Sequence, residues 1–311
     1  MKSVQEGQAA NSSSATDIDY HYRGLAFPIG GDNSLAEHGT LPNILSKFSK
    51  SLLGASHGTR KSGRNDFNLA VSGAISEDIF KQAQNLEVKL RASPDVDFDN
   101  DWKLLTIFIG SNDICQFVAN PDRHSPQSLG ANLRSTLSFI QERIPRVLVN
   151  VVPPFDVFLL QQMHNSSQFC RAMHKYEILV VEITISVLTN KKLEIMFRFA
   201  CPSVEKISLE DSVPLRRQYF DEVDRVVDDP VFSTDSFAVI KSNALQITQL
   251  PHLWGTPNYA LIAIDCFHFS RMAHDLVAKL IWQNLFEAIG QKTTADDYAT
   301  LTLNEFRCPP K

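Results

Sequence analysis

The chain has little of what would mark a membrane, metal or nucleic-acid protein. No uninterrupted apolar run reaches the roughly 18 residues that cross a bilayer. The best candidate, Ile178 to Leu188, is too short and carries Glu182. The opening MKSVQEGQAANSSS has no apolar segment and does not read as a signal peptide, so the chain by itself reads as cytosolic. Cysteine is sparse. Cys115, Cys170, Cys201, Cys266 and Cys308 are irregularly spaced and give neither a zinc pattern nor a complete disulfide framework. Their odd number leaves at least one thiol free or joined to another molecule. Basic residues do not dominate: 30 Lys and Arg face 35 Asp and Glu, for a net charge of −5. The densest basic spot, Arg60-Lys61 through Arg64, reads as a solvated loop, and the balance argues against a nucleic-acid partner. Asn11-Ser12-Ser13 and Asn165-Ser166-Ser167 are glycosylation sequons, which matter only on a secretory route.

What is present is a sequence of alternating apolar runs and amphipathic stretches. Residues 1–20 are polar and Ser-rich and are expected to be flexible, with a single domain over 21–311. Phe67 to Val71 predicts a short buried strand ending at Ser72-Gly73, and Leu104 to Ile109 and Val147 to Val152 predict two more. Phe237 to Ile240 predicts a fourth, and Ala260 to Ile264 is a further run that could reach the same sheet edge. Helices are predicted at Ile79 to Leu90, Leu129 to Ile144, Leu215 to Val227 and about Arg271 to Ile289, with Gly290 placed to end the last. Strands apolar on both faces with helices between them imply a parallel sheet covered on both sides, a three-layer α/β/α sandwich. In such sheets chemistry gathers at the carboxyl ends of the strands.

Three fragments fall there. Asp265-Cys266-Phe267-His268 is an Asp-x-x-His before the last helix, a spacing that lets a carboxylate hold an imidazole while its other nitrogen acts as a base. Alone it is weak, since roughly one unrelated chain in three of this length carries such a spacing on average composition. Gly110-x-Asn112-Asp113 ends a strand, where the Asn112 amide could donate to a developing oxyanion; equally, Asn112 or Asp113 could cap the next helix. Asn68-x-Ala70-x-Ser72-Gly73-Ala74 offers the Gly73 N–H to the same oxygen, or merely ends a strand.

Taken together, in this order, these fragments resemble the GDSL esterases, also called SGNH hydrolases, and within them the phospholipase B-like branch. The resemblance runs from about Tyr22 to Pro309. It includes Tyr22-Arg23-Gly24-Leu25, Ile29-Gly30-Gly31-Asp32, Thr40-Leu41-Pro42-Asn43, Phe108 through Asp113 and Asp265 through Ser270. It implies an oxyanion hole at Gly73 and Asn112, a triad completed by Asp265 and His268, and no metal or cofactor. Its substrates would be phospholipids or other acyl esters, met with peripheral contact to membranes or lipid aggregates. It also implies a secreted or membrane-associated location, and it leaves the oligomeric state open.

The chain departs from the family pattern in three places. The family nucleophile lies in Gly-Asp-Ser-[Leu/Val]-Thr-x-Gly after a first strand. Here Ser3, Val4 and Gly7 fall on that block with Lys2 in place of the acid, and the sheet is expected to lack its first strand. Ser34 and Ser111 are rivals for the nucleophile, each displaced from the family position. Residues 178–200 form an apolar insertion that the family does not explain, and Cys115 is expected to have lost a partner, with the remaining pairs unassigned. Three readings follow: a phospholipase B-like serine esterase, an inactive relative that binds lipid, or an esterase of sugar acetates or small acyl esters. The last would be marked by an acyl-sized pocket around Phe155, Phe158 and Leu159.

Overall fold

A computed structural model describes residues 8–13, 20–59, 67–172, 201–288 and 290–296. Ser3, the basic spot at Arg60 to Arg64, the 178–200 insertion and Cys308 lie outside the described residues.

Helix α1 (Leu41–Leu45) and helix α2 (Ile79–Ala92) precede strand β1 (Lys103–Phe108), short helix α3 (Ser111–Gln116) and helix α4 (Pro126–Arg143). Strand β2 (Val147–Val152), helices α5 (Leu160–Ser166), α6 (Pro202–Lys206) and α7 (Val213–Val227) and strand β3 (Phe237–Lys241) follow. A two-residue hairpin, β4 (His252–Leu253) and β5 (Thr256–Pro257), comes before the last described helix, α8 (Arg271–Asn284).

β1, β2 and β3 form a parallel sheet in that order, with Lys103 opposite Val147 and Val147 opposite Phe237. Such pairing needs crossover helices, and α4 and α7 supply them. α4 shows how the sequence builds one. The Ser125 hydroxyl accepts from the Ser128 N–H, Pro126 opens the first turn, and Leu129, Leu133, Leu137 and Ile140 recur on one buried stripe. Each of those side chains contributes roughly 1.5–3 kcal/mol on burial. α4 packs between α2 and α7, whereas α8 meets α1 and carries His274 against Phe27, whose ring also touches Phe108 at the end of β1. The chain therefore forms a three-layer α/β/α arrangement around a parallel sheet.

β1 is the outer strand of that sheet among the described residues. Along its outer edge runs a cavity of about 480 Å³, lined by every residue of β1, by α2 and by the segment Asn68–Val71. The expected strand at Phe67–Val71 does not form: Phe67 lies in a turn, and no strand pairs with the segment among the described residues. Ala260 to Ile264 does not extend the sheet either. It folds into a 3₁₀ turn at Tyr259–Leu261, and Ile262 then bridges antiparallel to Phe269. The expectation for Cys115 is also corrected. It is bonded to Cys201, and Cys170 is bonded to Cys266. These partners stand 86 and 96 residues apart, where spacing carries no pairing signal.

Candidate active site

The turn before α8 is organised around one carboxylate. Asp265 Oδ1 accepts from the Phe267 and His268 N–H groups at 3.0 and 2.9 Å, while Oδ2 meets His268 Nδ1 at 2.5 Å. The Ala263 N–H closes the turn on the His268 carbonyl at 2.7 Å. Cys266 takes φ +57° at the apex, where the disulfide to Cys170 holds it. Both Asp265 and His268 are buried. Burial pushes the Asp265 carboxyl up, but the adjacent His268 charge and the hydrogen bonds outweigh it and hold the group below its ordinary value. An ionised carboxylate only accepts, so Nδ1 of His268 carries the proton and donates. With that proton on Nδ1, Nε2 is the nitrogen on which a second proton can be taken up. Ser270 caps α8 by accepting from the Ala273 N–H at 3.2 Å, which fixes the direction in which the chain leaves His268.

At the carboxyl end of β1, Gly110 adopts φ +104°, and a Cβ there would lie 2.9 Å from Pro154 Cγ. Only glycine suits both constraints. The sharp turn starts α3 at Ser111 and puts Asn112 and Asp113 in its first turn, so both lie inside the helix and Gly110 holds the cap position. Asn112 Nδ2 donates to the Ala74 carbonyl at 2.5 Å. An amide nitrogen carries two hydrogens, so this bond fixes the plane of the group and still leaves a donor. Asp113 accepts from the Ser76 N–H and hydroxyl at 2.9 and 2.7 Å. Burial raises its pKa against the pull of those two bonds.

Ala74 adjoins Gly73. The Ala74 N–H donates to the Val71 carbonyl at 3.1 Å, and Gly73 has φ +84°, the positive dihedral that the third position of a type II turn demands. The turn's own bond uses the Ala74 N–H and not that of Gly73. Asn112 and Asp113 thus clamp the Gly73 segment onto the end of β1, one through Ala74 and the other through Ser76. A second set of contacts runs toward the histidine. Ser111 Oγ accepts from the Phe155 N–H at 2.9 Å, and the Phe155 ring meets Phe269 edge-on with centroids 5.2 Å apart. The neighbour of Asn112 and the neighbour of His268 are therefore two contacts apart.

The rival serines are engaged elsewhere. Ser34 Oγ donates to Glu37 at 2.8 Å on the exposed surface, and Ser111 Oγ serves the Phe155 backbone. Phe155, Phe158 and Leu159 are ordinary core and line none of the cavity beside β1. No group of three His, Cys, Asp or Glu suited to a metal occurs among the described residues. From the sequence, Asp113 had no visible role beyond a helix cap. Its bond to Ser76 was hidden because the two stand 37 positions apart. The arrangement offers an imidazole with an orienting carboxylate and an amide donor beside a turn glycine, parts that acyl transfer uses.

Residues 14–281 match the GDSL-like lipase/acylhydrolase family. The chain belongs to that family. Among similar proteins, the membrane-associated phospholipase B1 of Rattus norvegicus is 31% identical over 308 residues, which is 95% of this chain and 20% of the relative. The Mus musculus protein of the same name is 31% identical over 301 residues, 94% of this chain and 19% of its own, and the Homo sapiens protein is 31% identical over 318 residues, 99% and 20%. This GDSL-family chain therefore spans about a fifth of the length of the curated relatives it matches. Those relatives are membrane-associated by name, and no helix among the described residues here is long and apolar enough to cross a membrane.

Proposed function

We propose that the chain is a phospholipase B-like serine esterase acting on acyl esters of phospholipids and lysophospholipids. The observation that carries the reading is the buried Asp265–His268 pair, in which one carboxylate both builds the turn and orients the ring. His268 Nε2 takes the hydroxyl proton of Ser3 as its Oγ bonds to the ester carbonyl carbon. The carbonyl oxygen becomes an oxyanion and receives hydrogen bonds from Asn112 Nδ2 and the Gly73 N–H. The tetrahedral species collapses, the C–O bond to the glycerol or lysolipid oxygen breaks, and His268 protonates that leaving oxygen. Water then attacks the acyl-serine with His268 as base, and the fatty acid departs as the serine recovers its proton. Asp265 stays ionised throughout, consistent with its lowered pKa.

A second reading, a lipid-binding relative without turnover, is favoured by Lys2 in the place of the family's acidic residue beside Ser3. An alkyl fluorophosphonate probe separates the two, because only a base-activated serine reacts quickly. Labelling of the wild type at Ser3 that disappears in His268→Ala supports the esterase. Absence of labelling in both leaves the binding reading, and equal labelling of both sinks the assignment of His268. The two disulfides support an oxidising compartment for the chain, in keeping with a secreted or membrane-associated protein.

A further inference from the structure

β4 and β5 are joined by two residues, Trp254 and Gly255, with Leu253 paired to Thr256. Both loop residues have positive φ, +51° and +81°. That is the type I′ geometry, for which Asn-Gly is the favoured sequence and a bulky residue at the first position is strained. The hairpin nevertheless presents a tryptophan there, 94% exposed, with Leu253 half-exposed beside it. A cost borne by the backbone with no packing inside the fold directs attention to what the ring meets outside it.

Further exposed rings flank the same region. Phe169, 53% exposed, precedes Cys170, whose disulfide partner Cys266 sits between Asp265 and Phe267 of the catalytic turn. Tyr259, also exposed, begins the 3₁₀ turn that leads into that loop, and its hydroxyl donates to Ser166 Oγ of α5 at 2.8 Å. α5 in turn packs on β5. Hairpin, α5 and catalytic turn are thus joined by a disulfide, a hydrogen bond and direct packing.

The two stretches that carry these rings share a second property. From Ser242 to Ile264, and again from Val157 to Cys170, the chain has no Asp, Glu, Lys or Arg, although 21% of its residues are charged. Charge reaches these stretches from neighbouring positions and in balance: Arg171 donates to the His164 and Asn165 carbonyls at the end of α5, and Asp296 accepts from Thr248, so a surface with rings and little net charge suits a zwitterionic interface. One arginine offset by one aspartate gives little pull toward anionic lipid, and indole is the side chain that settles at a headgroup boundary.

We propose that Trp254, with Leu253, Phe169 and Tyr259, forms an apolar rim that seats the Asp265–His268 turn against the surface of a zwitterionic phospholipid aggregate. The choice of lipid rests on the esterase reading above; the rim itself rests on exposure, strain and the low net charge of its surroundings.

The test is flotation of the full chain with vesicles of dialkyl ether phosphatidylcholine, which bind without being hydrolysed. The variants are Trp254→Asn, which gives the turn its preferred Asn-Gly and so keeps the hairpin, and Phe169→Ser on the other flank. The expected result is wild-type binding that weakens roughly 10-fold or more in Trp254→Asn and falls also in Phe169→Ser, with melting temperatures kept. Replacing a fifth of the lipid with phosphatidylserine should change the wild-type affinity by less than about twofold. The proposal is overturned by wild-type protein that does not float or by Trp254→Asn that floats equally well. Binding that needs the anionic lipid, or a dimer that Trp254→Asn dissolves without any lipid binding, overturns it as well. Fluorophosphonate labelling of the same wild-type preparation reports on the esterase separately, so vesicle binding without labelling retains the rim and removes the chemistry.

Discussion

Lowering the pH should destabilise the fold through one histidine. His274 lies in α8, fully buried against Phe27 and Phe269, and its Nδ1 accepts the Phe27 N–H at 3.2 Å. Burial first, then the nearby positive character of His38 and His268, lowers its pKa from 6.5 to about 3. The fold therefore keeps this ring neutral where the unfolded chain would protonate it. The contribution to stability is complete above pH 6.5 and is lost as pH falls toward 3, at about 1.4 kcal/mol per pH unit. At pH 4.5, two units below the unfolded value, roughly 3 kcal/mol is gone relative to neutral pH. Buried Asp113 and Asp156, whose pKa values are raised, act in the opposite sense on acidification, and His38, itself lowered by burial, acts in the same sense. The comparison that isolates His274 is with His274→Gln, which can still accept from Phe27 but cannot titrate. Urea unfolding of both proteins at pH 7, 6, 5 and 4.5 should show the wild type losing roughly 3 kcal/mol more than the variant across that range. Parallel pH profiles for the two proteins would refute the reasoning.

Other expectations follow from the site and its supports. On the proposed mechanism, in which the Asn112 amide donates to the oxyanion, Asn112→Ala should lower kcat by about 10²–10³ with KM little changed; a change confined to KM would remove it from that role. Gly110→Ala should cost about 1–3 kcal/mol in urea unfolding, since φ +104° and the approach to Pro154 both oppose a Cβ, and unchanged stability would contradict that turn. Cys170→Ser should cost about 2–5 kcal/mol by freeing a long loop in the unfolded state. It should also lower the rate of fluorophosphonate labelling by loosening the turn around Cys266, and a labelling rate equal to that of the wild type would disconnect that disulfide from the catalytic geometry.

Much of the scaffold could be read from local pattern. The runs at Leu104 and Val147 became β1 and β2 within a residue of their expected limits, because continuous apolar sequence with helices between has few other uses. Phe67 to Val71 has a similar composition yet no pairing partner among the described residues, and strand formation requires one. α8 stops at Asn284, where the side-chain amide turns to Glu287 and to the Thr293 carbonyl, both at 2.9 Å; Ile289, its expected limit, lies outside the described residues. Periodicity cannot see such tertiary competition. At the site, the Asp265–His268 contact was legible because it is local. The Asn112–Ala74 bond, the Ser76–Asp113 pair and both disulfides join positions tens of residues apart, and nothing in one sequence reports them.

The outer edge of β1 makes concentration part of this molecule's behaviour. Among the described residues no strand lies beside Lys103 to Ile107 on that side, and peptide groups without a strand neighbour invite any extended segment of matching character, from the same chain or from a neighbouring molecule. Dilute protein should keep its shape, whereas crowded protein should drift toward assemblies stitched together at that seam.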